Sequence, residues 1–456
     1  MKNLLESDPM SPLPAIPSQP QTVDELITAR WIVPVEPAGV VLENHALVVN
    51  RGNIVALLPE ADAAQHYQPR QTTALDQHVL TPGFVNLHTH AAMALLRGFA
   101  DDLPLMRWLQ EHIWPAEGKL VSPEFVRDGT LLAGAEMLKG GITCFNDMYF
   151  YPEAAADAAT QLGIRAVLGI LAVEFPTRYA ADADDYLRKG LATRDSLLDN
   201  PLVSFCLAPH APYTVADATF ERVVTLAAQL DLPIHVHLHE TRDEIEGSLA
   251  QHGMRPLGRL HRLGVLGPNL IAVHAVHLEN EEIRLLAEHG ATVAHCPTSN
   301  MKLASGIAPA ARMAEMGLRI GLGTDGAASN NRLDLFHEMR HASLLAKVSS
   351  GDATALDAHS VLRMATLNGA IALGLEGKIG SLEPGKAADL CATRLDSWEI
   401  QPCFDPVSHL IHAAGREYVT DVWVSGKKVV YKGNVIALNE FKLLDSLRIW
   451  QNKAST

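Results

Sequence analysis

Thr81-Pro-Gly-Phe-Val-Asn-Leu-His88-Thr-His90 is the stretch on which the reading of this chain turns. Its apolar run, 84–87, is opened by Pro82-Gly83 and predicts a short buried strand. His88 and His90 stand two residues apart, so on an extended strand both imidazoles face the same side. Two imidazoles on one face at a strand end can hold a divalent metal, with zinc the first choice. A His-X-His pair also arises by chance in a chain with 21 His, so the rest of the sequence has to support it.

Support comes from repetition. After residue 80, apolar β runs alternate with Ala-, Leu- and Glu-rich helical stretches such as 220–230 and 281–289. The runs are 84–88, 142–147, 165–173, 202–209, 233–239, 270–274, 292–296 and 319–324. Eight β runs alternating with helical segments, apolar on both faces, predict an α/β fold: a parallel (β/α)8 TIM-like barrel. A doubly wound open sheet is the alternative, but no Gly-rich phosphate loop follows the first run.

The flanks differ in texture. Upstream, 27–35, 40–42, 46–49 and 54–58 are strand-like, with Asn50-Arg-Gly-Asn53 as a hairpin turn. Downstream, helical segments reach about residue 373, and β runs return at 388–392 and 419–424, the latter joined by Ser425-Gly426 to 428–431. Two β-rich flanks around one barrel predict a small β-sandwich domain formed from both chain ends. The expected division is a flexible Pro-rich arm (1–22), the first part of the β domain (23–80), the barrel (81–380), the second part of the β domain (381–436), and a C-terminal helix and tail (437–456).

Composition narrows the function classes. With 48% hydrophobic and 20% charged residues among 456, the chain is globular and long enough for a large domain plus a smaller one. Its 37 Lys+Arg against 52 Asp+Glu give a net charge of −15, which argues against nucleic acid as a partner. Cys144, Cys206, Cys296, Cys391 and Cys403 are odd in number and never spaced Cys-X-X-Cys, which fits a reducing cytoplasm. No apolar run reaches the roughly 18 residues of a membrane span. The stretch Met1-Lys-Asn-Leu-Leu-Glu-Ser-Asp8 lacks the apolar core of a signal peptide, so a cytoplasmic location is expected.

Active sites of such barrels lie at the carboxyl ends of the strands. That rule collects His88 and His90 from the first strand, His210 from the fourth, and His235-Val-His237-Leu-His239-Glu240 from the fifth. It adds His274, His295 and Asp325 from the sixth, seventh and eighth. Several imidazoles and two carboxylates at one barrel mouth are the equipment of a metal-dependent hydrolase. His235 shares the face of His237 but lies deeper, and reads as a core histidine. His239 is a ligand by spacing or a supporting loop residue. His277 and His295 read as structural or as supports behind the site. Asp325, in Gly323-Thr-Asp-Gly326, is a ligand or a helix cap.

Pro82-Gly-Phe-Val-Asn-Leu-His-Thr-His90, His237-Leu-His-Glu240, His274-Ala-Val-His-Leu278, His295-Cys-Pro-Thr-Ser-Asn-Met-Lys-Leu303 and Gly323-Thr-Asp325 resemble the amidohydrolase superfamily. They are most similar to its 5′-methylthioadenosine/S-adenosylhomocysteine deaminases and the related triazine hydrolases. The resemblance runs in order over roughly residues 25–436. It implies metal ligands at His88, His90, His237 and Asp325, an acid/base carboxylate at Glu240, and a further catalytic imidazole at His274. It assigns substrate binding to Glu117, in Trp114-Pro-Ala-Glu117, and to His210, in Ala208-Pro-His-Ala-Pro-Tyr213, alongside Glu240 and Asp325. In that family the glutamate accepts hydrogen bonds from ribose hydroxyls, a task suited to a carboxylate. The residues alone would make Glu117 an exposed helix-start glutamate. Two-metal members carry a modified lysine where this chain has His210, so one Zn2+ per subunit is implied, with another divalent metal as the alternative.

A segment from Leu95 to Trp114 has apolar residues at helical spacing and predicts an amphipathic helix beside the metal motif. Core packing is its default reading. The family resemblance also offers Leu96, Met106 and Trp108 as an apolar wall for a thioether. The implied activity is hydrolytic removal of the 6-amino group of an adenine nucleoside, giving the inosine analogue and ammonia. The alternative is the same machinery on another amino-heterocycle of the adenosine, guanine, cytosine or triazine type. A non-catalytic scaffold would be expected to have lost ligands, and a nucleic-acid deaminase would carry a signature that is absent here. The implied partner is a small nucleoside, with no nucleic acid and no membrane; relatives also supply homo-oligomers as a precedent.

Overall fold

The computed structural model describes residues 20–455 and contains two eight-stranded sheets. The expected Pro-rich arm therefore lies outside the described residues, apart from Pro20, Gln21 and Thr22, and the last two open the first strand, Gln21–Ile32.

The barrel sheet runs in sequence order through Phe84–Thr89, Ile142–Asp147, Arg165–Ala172, Val203–Pro209, Ile234–Leu238, Leu270–His274, Thr292–His295 and Arg319–Leu322. All its ladders are parallel. Each strand coincides with a predicted apolar run to within two residues at either end. These strands bury both faces, one against the barrel interior and one against the surrounding helices, which is why they read as continuous apolar runs rather than alternating ones.

Closure between the last and first strands is made by a few specific bonds. Asn86 and Thr324 exchange two hydrogen bonds, Nδ2 to Oγ1 at 2.8 Å and backbone N to Oδ1 at 2.9 Å. Just beyond them the Asp325 N–H donates to the His88 carbonyl at 3.0 Å. The strands approach so closely that glycine is required on one side. A Cβ on Gly321 would stand 2.7 Å from Leu87 Cδ2, and one on Gly323 would stand 2.8 Å from His88 Cβ.

The second sheet joins both chain ends. Gln21–Ile32, His45–Asn50, Asn53–Pro59 and Tyr67–Pro82 come from the N-terminal side. Leu390–Arg394, Val419–Val424, Lys427–Tyr431 and Asn434–Val435 come from the other. The halves meet where Leu390–Arg394 pairs antiparallel with Tyr67–Pro82. The sheet curls, so the Arg51-Gly52 turn reaches the Ser425-Gly426 turn, and Ile27, Leu47, Leu390 and Trp423 share one buried core. Both turns place two successive residues at positive φ, as tight hairpins require.

Arg165, at the start of the third barrel strand, locks the two sheets together. Its guanidinium donates to both Asp389 carboxylate oxygens, at 3.0 and 3.1 Å, and both side chains are only 2% exposed.

The segment expected to be one helix from Leu95 is divided. A 3-10 turn covers Ala91–Leu96, and helix resumes only at Leu105, after Gly98 and Pro104. A π turn at Leu109–Ile113 then leads into Trp114–Leu120. Pro115 accounts for the irregularity, since its ring has no N–H to donate and would crowd the carbonyl four residues earlier. The C-terminal helix spans Glu440–Ser455 and is anchored by Trp450, whose Nε1 donates to Asp128 at 2.9 Å. Among the described residues, no helix is long and apolar enough to cross a membrane.

Gly323→Ala should destabilise the protein by about 1–3 kcal/mol, the usual cost of overpacking. The midpoint of chemical denaturation reads this, and an unchanged midpoint would show that the barrel seam has slack.

Candidate functional site

His88 is the next-to-last residue of the first barrel strand and fully buried, and His90 follows directly after the strand. Their rings lie 4.8 Å apart, centroid to centroid, as the two-residue spacing requires. Asp325 reaches both, its Oδ1 lying 3.3 Å from His88 Nε2 and 3.3 Å from His90 Nε2. His237 comes from the fifth strand and His274 from the sixth; their rings stack at 5.5 Å.

Potential ligand atoms cluster in two overlapping groups, each within 4.8 Å: His88, His90 and Asp325, and His88, His237 and His274. His88 is common to both. His274, expected outside the ligand set, therefore stands as near to the cluster as His237 does.

The outer nitrogens of these rings are all engaged. His90 Nδ1 lies 2.7 Å from the Met148 carbonyl, and His237 Nδ1 lies 2.7 Å from the His210 carbonyl. His88 Nδ1 lies 2.9 Å from His235 Nε2, and His274 Nδ1 lies 2.8 Å from Asn300 Oδ1. A carbonyl can only accept, so Nδ1 of His90 and of His237 carries the proton and Nε2 is left with its lone pair. His88 Nε2 is buried with no hydrogen-bond partner among the described residues. Burial lowers the His88 pKa to about 4 and holds His237 well below its ordinary value, so both are neutral near pH 7. Neutral inward-facing imidazoles beside a carboxylate are a donor set that fits a divalent cation.

Burial opposes the charge on Asp325, but contact with the imidazole of His88, with those of His90 and His274 beyond, holds its carboxyl well below the ordinary value. Oδ2 accepts from Ser299 Oγ at 2.6 Å and Ser329 Oγ at 2.7 Å, and Oδ1 accepts from the Gly326 N–H at 2.7 Å. The helix-cap alternative for Asp325 has no support in these contacts.

The chain leaves three strands through left-handed residues. His239 has φ 55°, His274 φ 69° and Asp325 φ 61°. Such conformations cost about 1–3 kcal/mol each and gather at functional sites.

A cavity of about 360 Å³ opens above this cluster, within the usual size of a small-molecule pocket. His90, Glu117, His210, His237, Glu240, His274 and Asp325 all line it, while His88 lies beneath. Glu240 Oε2 stands 3.8 Å from His274 Nε2. Burial raises the Glu240 carboxyl above its ordinary value, with His274 acting against that rise.

Glu117 lies on the Trp114–Leu120 helix but turns into the cavity, and so is not the exposed helix-start residue that its local sequence favours. Burial pushes its carboxyl up to about 7, partly offset by Tyr149, whose Oη donates to Oε1 at 2.7 Å. His210 Nδ1 lies 3.0 Å from Thr214 Oγ1.

Of the proposed apolar wall, Trp108 faces the cavity. Leu96 is packed in the core, and Met106 lines a smaller neighbouring pocket of about 190 Å³. Val173, Phe175 and Trp114 supply the wall instead. His239 is not in the ligand cluster: its Nε2 accepts from the Leu257 N–H at 3.1 Å, bracing the turn before Glu240. His277 Nε2 is bonded to the Ser305 carbonyl, and His295 is buried off the cavity.

Sequence reasoning missed Tyr149, Ser299 and Ser329. Tyr149 stands two residues past the second barrel strand, where the strand-end rule points; Ser299 lies inside the quoted His295–Leu303 stretch.

This fold and site define a metal-dependent hydrolase of the (β/α)8 barrel class. The chain belongs to the amidohydrolase family, whose model matches residues 79–429. It is 46% identical to the 5-methylthioadenosine/S-adenosylhomocysteine deaminase of Teredinibacter turnerae, over 95% of this chain and 98% of that protein. A zinc-bound adenosine deaminase from Xanthomonas campestris superimposes with a TM-score of 0.94 at 50% identity, covering 96% of this chain and 99% of the other. The zinc complex of atrazine chlorohydrolase from Arthrobacter aurescens TC1 shares the fold, with a TM-score of 0.84 at 24% identity over 93% of this chain and 99% of the other.

Tyr149→Phe removes a hydrogen bond that favours the ionised form of Glu117. Its titration should therefore move above about 7. Side-chain carboxyl NMR of the labelled protein checks this; a midpoint that stays or falls would refute the assigned contact.

Proposed function

We infer that this protein hydrolyses the 6-amino group of an adenine nucleoside, 5′-methylthioadenosine and/or S-adenosylhomocysteine, releasing ammonia and the inosine analogue. The observation that carries this reading is the pairing of two sites in one cavity. Members of the buried imidazole–carboxylate cluster line it, and Glu117, a carboxylate held by Tyr149, faces the same space. The likeness to deaminases over nearly the whole chain supports it.

His88, His90, His237 and Asp325 would hold one Zn2+ per subunit. A bound divalent metal lowers the pKa of a coordinated water and so supplies hydroxide at neutral pH. Glu240 delivers a proton to the ring nitrogen next to C6, making that carbon electrophilic. Its raised pKa suits a group that must both hold and release a proton. Asp325, kept ionised, accepts the proton of the attacking water and passes it toward the departing ammonia. His274, oriented by Asn300, steadies the charge that develops on the attacking oxygen. Glu117 accepts from the ribose hydroxyls, and His210, which lines the same cavity, contacts the substrate. A cytoplasmic enzyme acting on a free nucleoside, with no nucleic-acid partner, accords with the charge and cysteine pattern.

An ammonia-release screen over adenosine, methylthioadenosine, S-adenosylhomocysteine, guanine and a melamine-type triazine tests the substrate class. Turnover of the triazine alone would overturn it. Glu240→Gln should lose at least about 10²–10⁴-fold in turnover, the usual contribution of a positioned acid/base group. It should keep its metal and still bind an inosine-type product. His88→Ala should lose metal and activity together. A Glu240→Gln protein deaminating at the wild-type rate would place the proton shuttle elsewhere.

A further inference from the structure

His235 lies on the fifth barrel strand two residues before His237, on the same face and deeper in the barrel. Its Nε2 is 2.9 Å from His88 Nδ1, with the ring planes 73° apart. Neither side chain has any solvent exposure. The outer partners of His90 and His237 are backbone carbonyls, which accept unconditionally. The partner of His88 is another imidazole, which can accept at Nε2 only while its own proton sits on Nδ1. His235 Nδ1 has no hydrogen-bond partner among the described residues, so no acceptor or donor there sets the tautomer from outside.

A neutral imidazole offers one lone pair. If His88 is to present Nε2 to a cation, its proton must stay on Nδ1, where His235 Nε2 is the acceptor within reach. We propose that His235 is a positioning residue for the metal centre: its Nε2 accepts the His88 Nδ1–H and so fixes the one ring common to both ligand groups as an Nε2 donor. This rests on the reading that a divalent cation is held by His88 and its neighbours. Because His88 belongs to both groups, losing its orientation weakens the whole cluster rather than one corner.

The test compares wild type, His235→Leu and His235→Gln as full-length proteins. Zn2+ affinity is measured by chelator competition on the metal-stripped forms, and their thermal midpoints are recorded without metal. The leucine side chain removes the acceptor, and the expected loss of affinity is about 10–100-fold, as for other outer partners of metal-bound histidines. The glutamine side chain can place an amide oxygen near the Nε2 position and should retain most of the affinity. A purely structural His235 would instead lower both thermal midpoints and leave Zn2+ affinity unchanged. Wild-type affinity in a folded His235→Leu protein overturns the proposal. If that variant does not fold, His235→Gln decides alone, and a loss of 10-fold or more there overturns it too. Wild-type protein that takes up no Zn2+ would overturn the functional reading itself, which separates the two failures.

Discussion

The Asp325 N–H donates to the His88 carbonyl at 3.0 Å, and both the barrel and its chemistry depend on that bond. It ties the end of the last strand to the end of the first, beside the Asn86–Thr324 pair. The same geometry puts the Asp325 carboxylate 3.3 Å from the imidazoles of His88 and His90. Closing the barrel and assembling the inner half of the site are therefore one event. Gly321 and Gly323 make it sterically feasible, because any side chain there would collide with Leu87 or His88. His88, His90, His237, His274 and Asp325 are each also held from outside, by another ring, a backbone carbonyl, an amide or serine hydroxyls.

Much of this was legible in the sequence because the relevant signals are local. Apolar runs bounded by helical stretches reveal barrel strands, and a two-residue spacing on a strand fixes a common face. Those rules plus strand-end placement bring His88, His90, His237, His274 and Asp325 to one barrel mouth together with His210, His235 and His295, and the family resemblance chose among them. What the sequence obscured depends on tertiary distance. Glu117 resembles an exposed helix-start residue, and only its approach to Tyr149, 32 positions away in the chain, makes it a cavity carboxylate. The Leu95–Trp114 pattern was truly amphipathic, yet Gly98, Pro104 and Pro115 divided it, so Leu96 packs inward while Trp108 reaches the cavity. His235 carried no signal for its role, since a core histidine and an outer partner of a ligand look alike in one dimension.

Burial acts on every carboxyl in the site, but its outcome differs with the partners. Asp325 meets imidazoles and two serine hydroxyls, and stays ionised despite desolvation. Glu117 meets one phenol, and burial carries it up to about 7. Glu240 meets His274 at 3.8 Å, and desolvation still prevails. The site therefore holds one charged carboxylate and two that burial moves toward the neutral form.

Glu244 shows how that separation is protected. It lies directly behind Glu240, and its Oε2 accepts the Glu240 N–H at 2.8 Å. A second charged carboxylate there would raise the Glu240 titration further, as like charges do. Burial prevents this by raising Glu244 itself to about 8, with the Glu240 charge adding to the rise. Glu244 therefore keeps its proton near neutral pH, still accepts the backbone N–H through one oxygen, and adds little negative potential. The residue that braces the Glu240 backbone is thus electrically quiet near neutral pH.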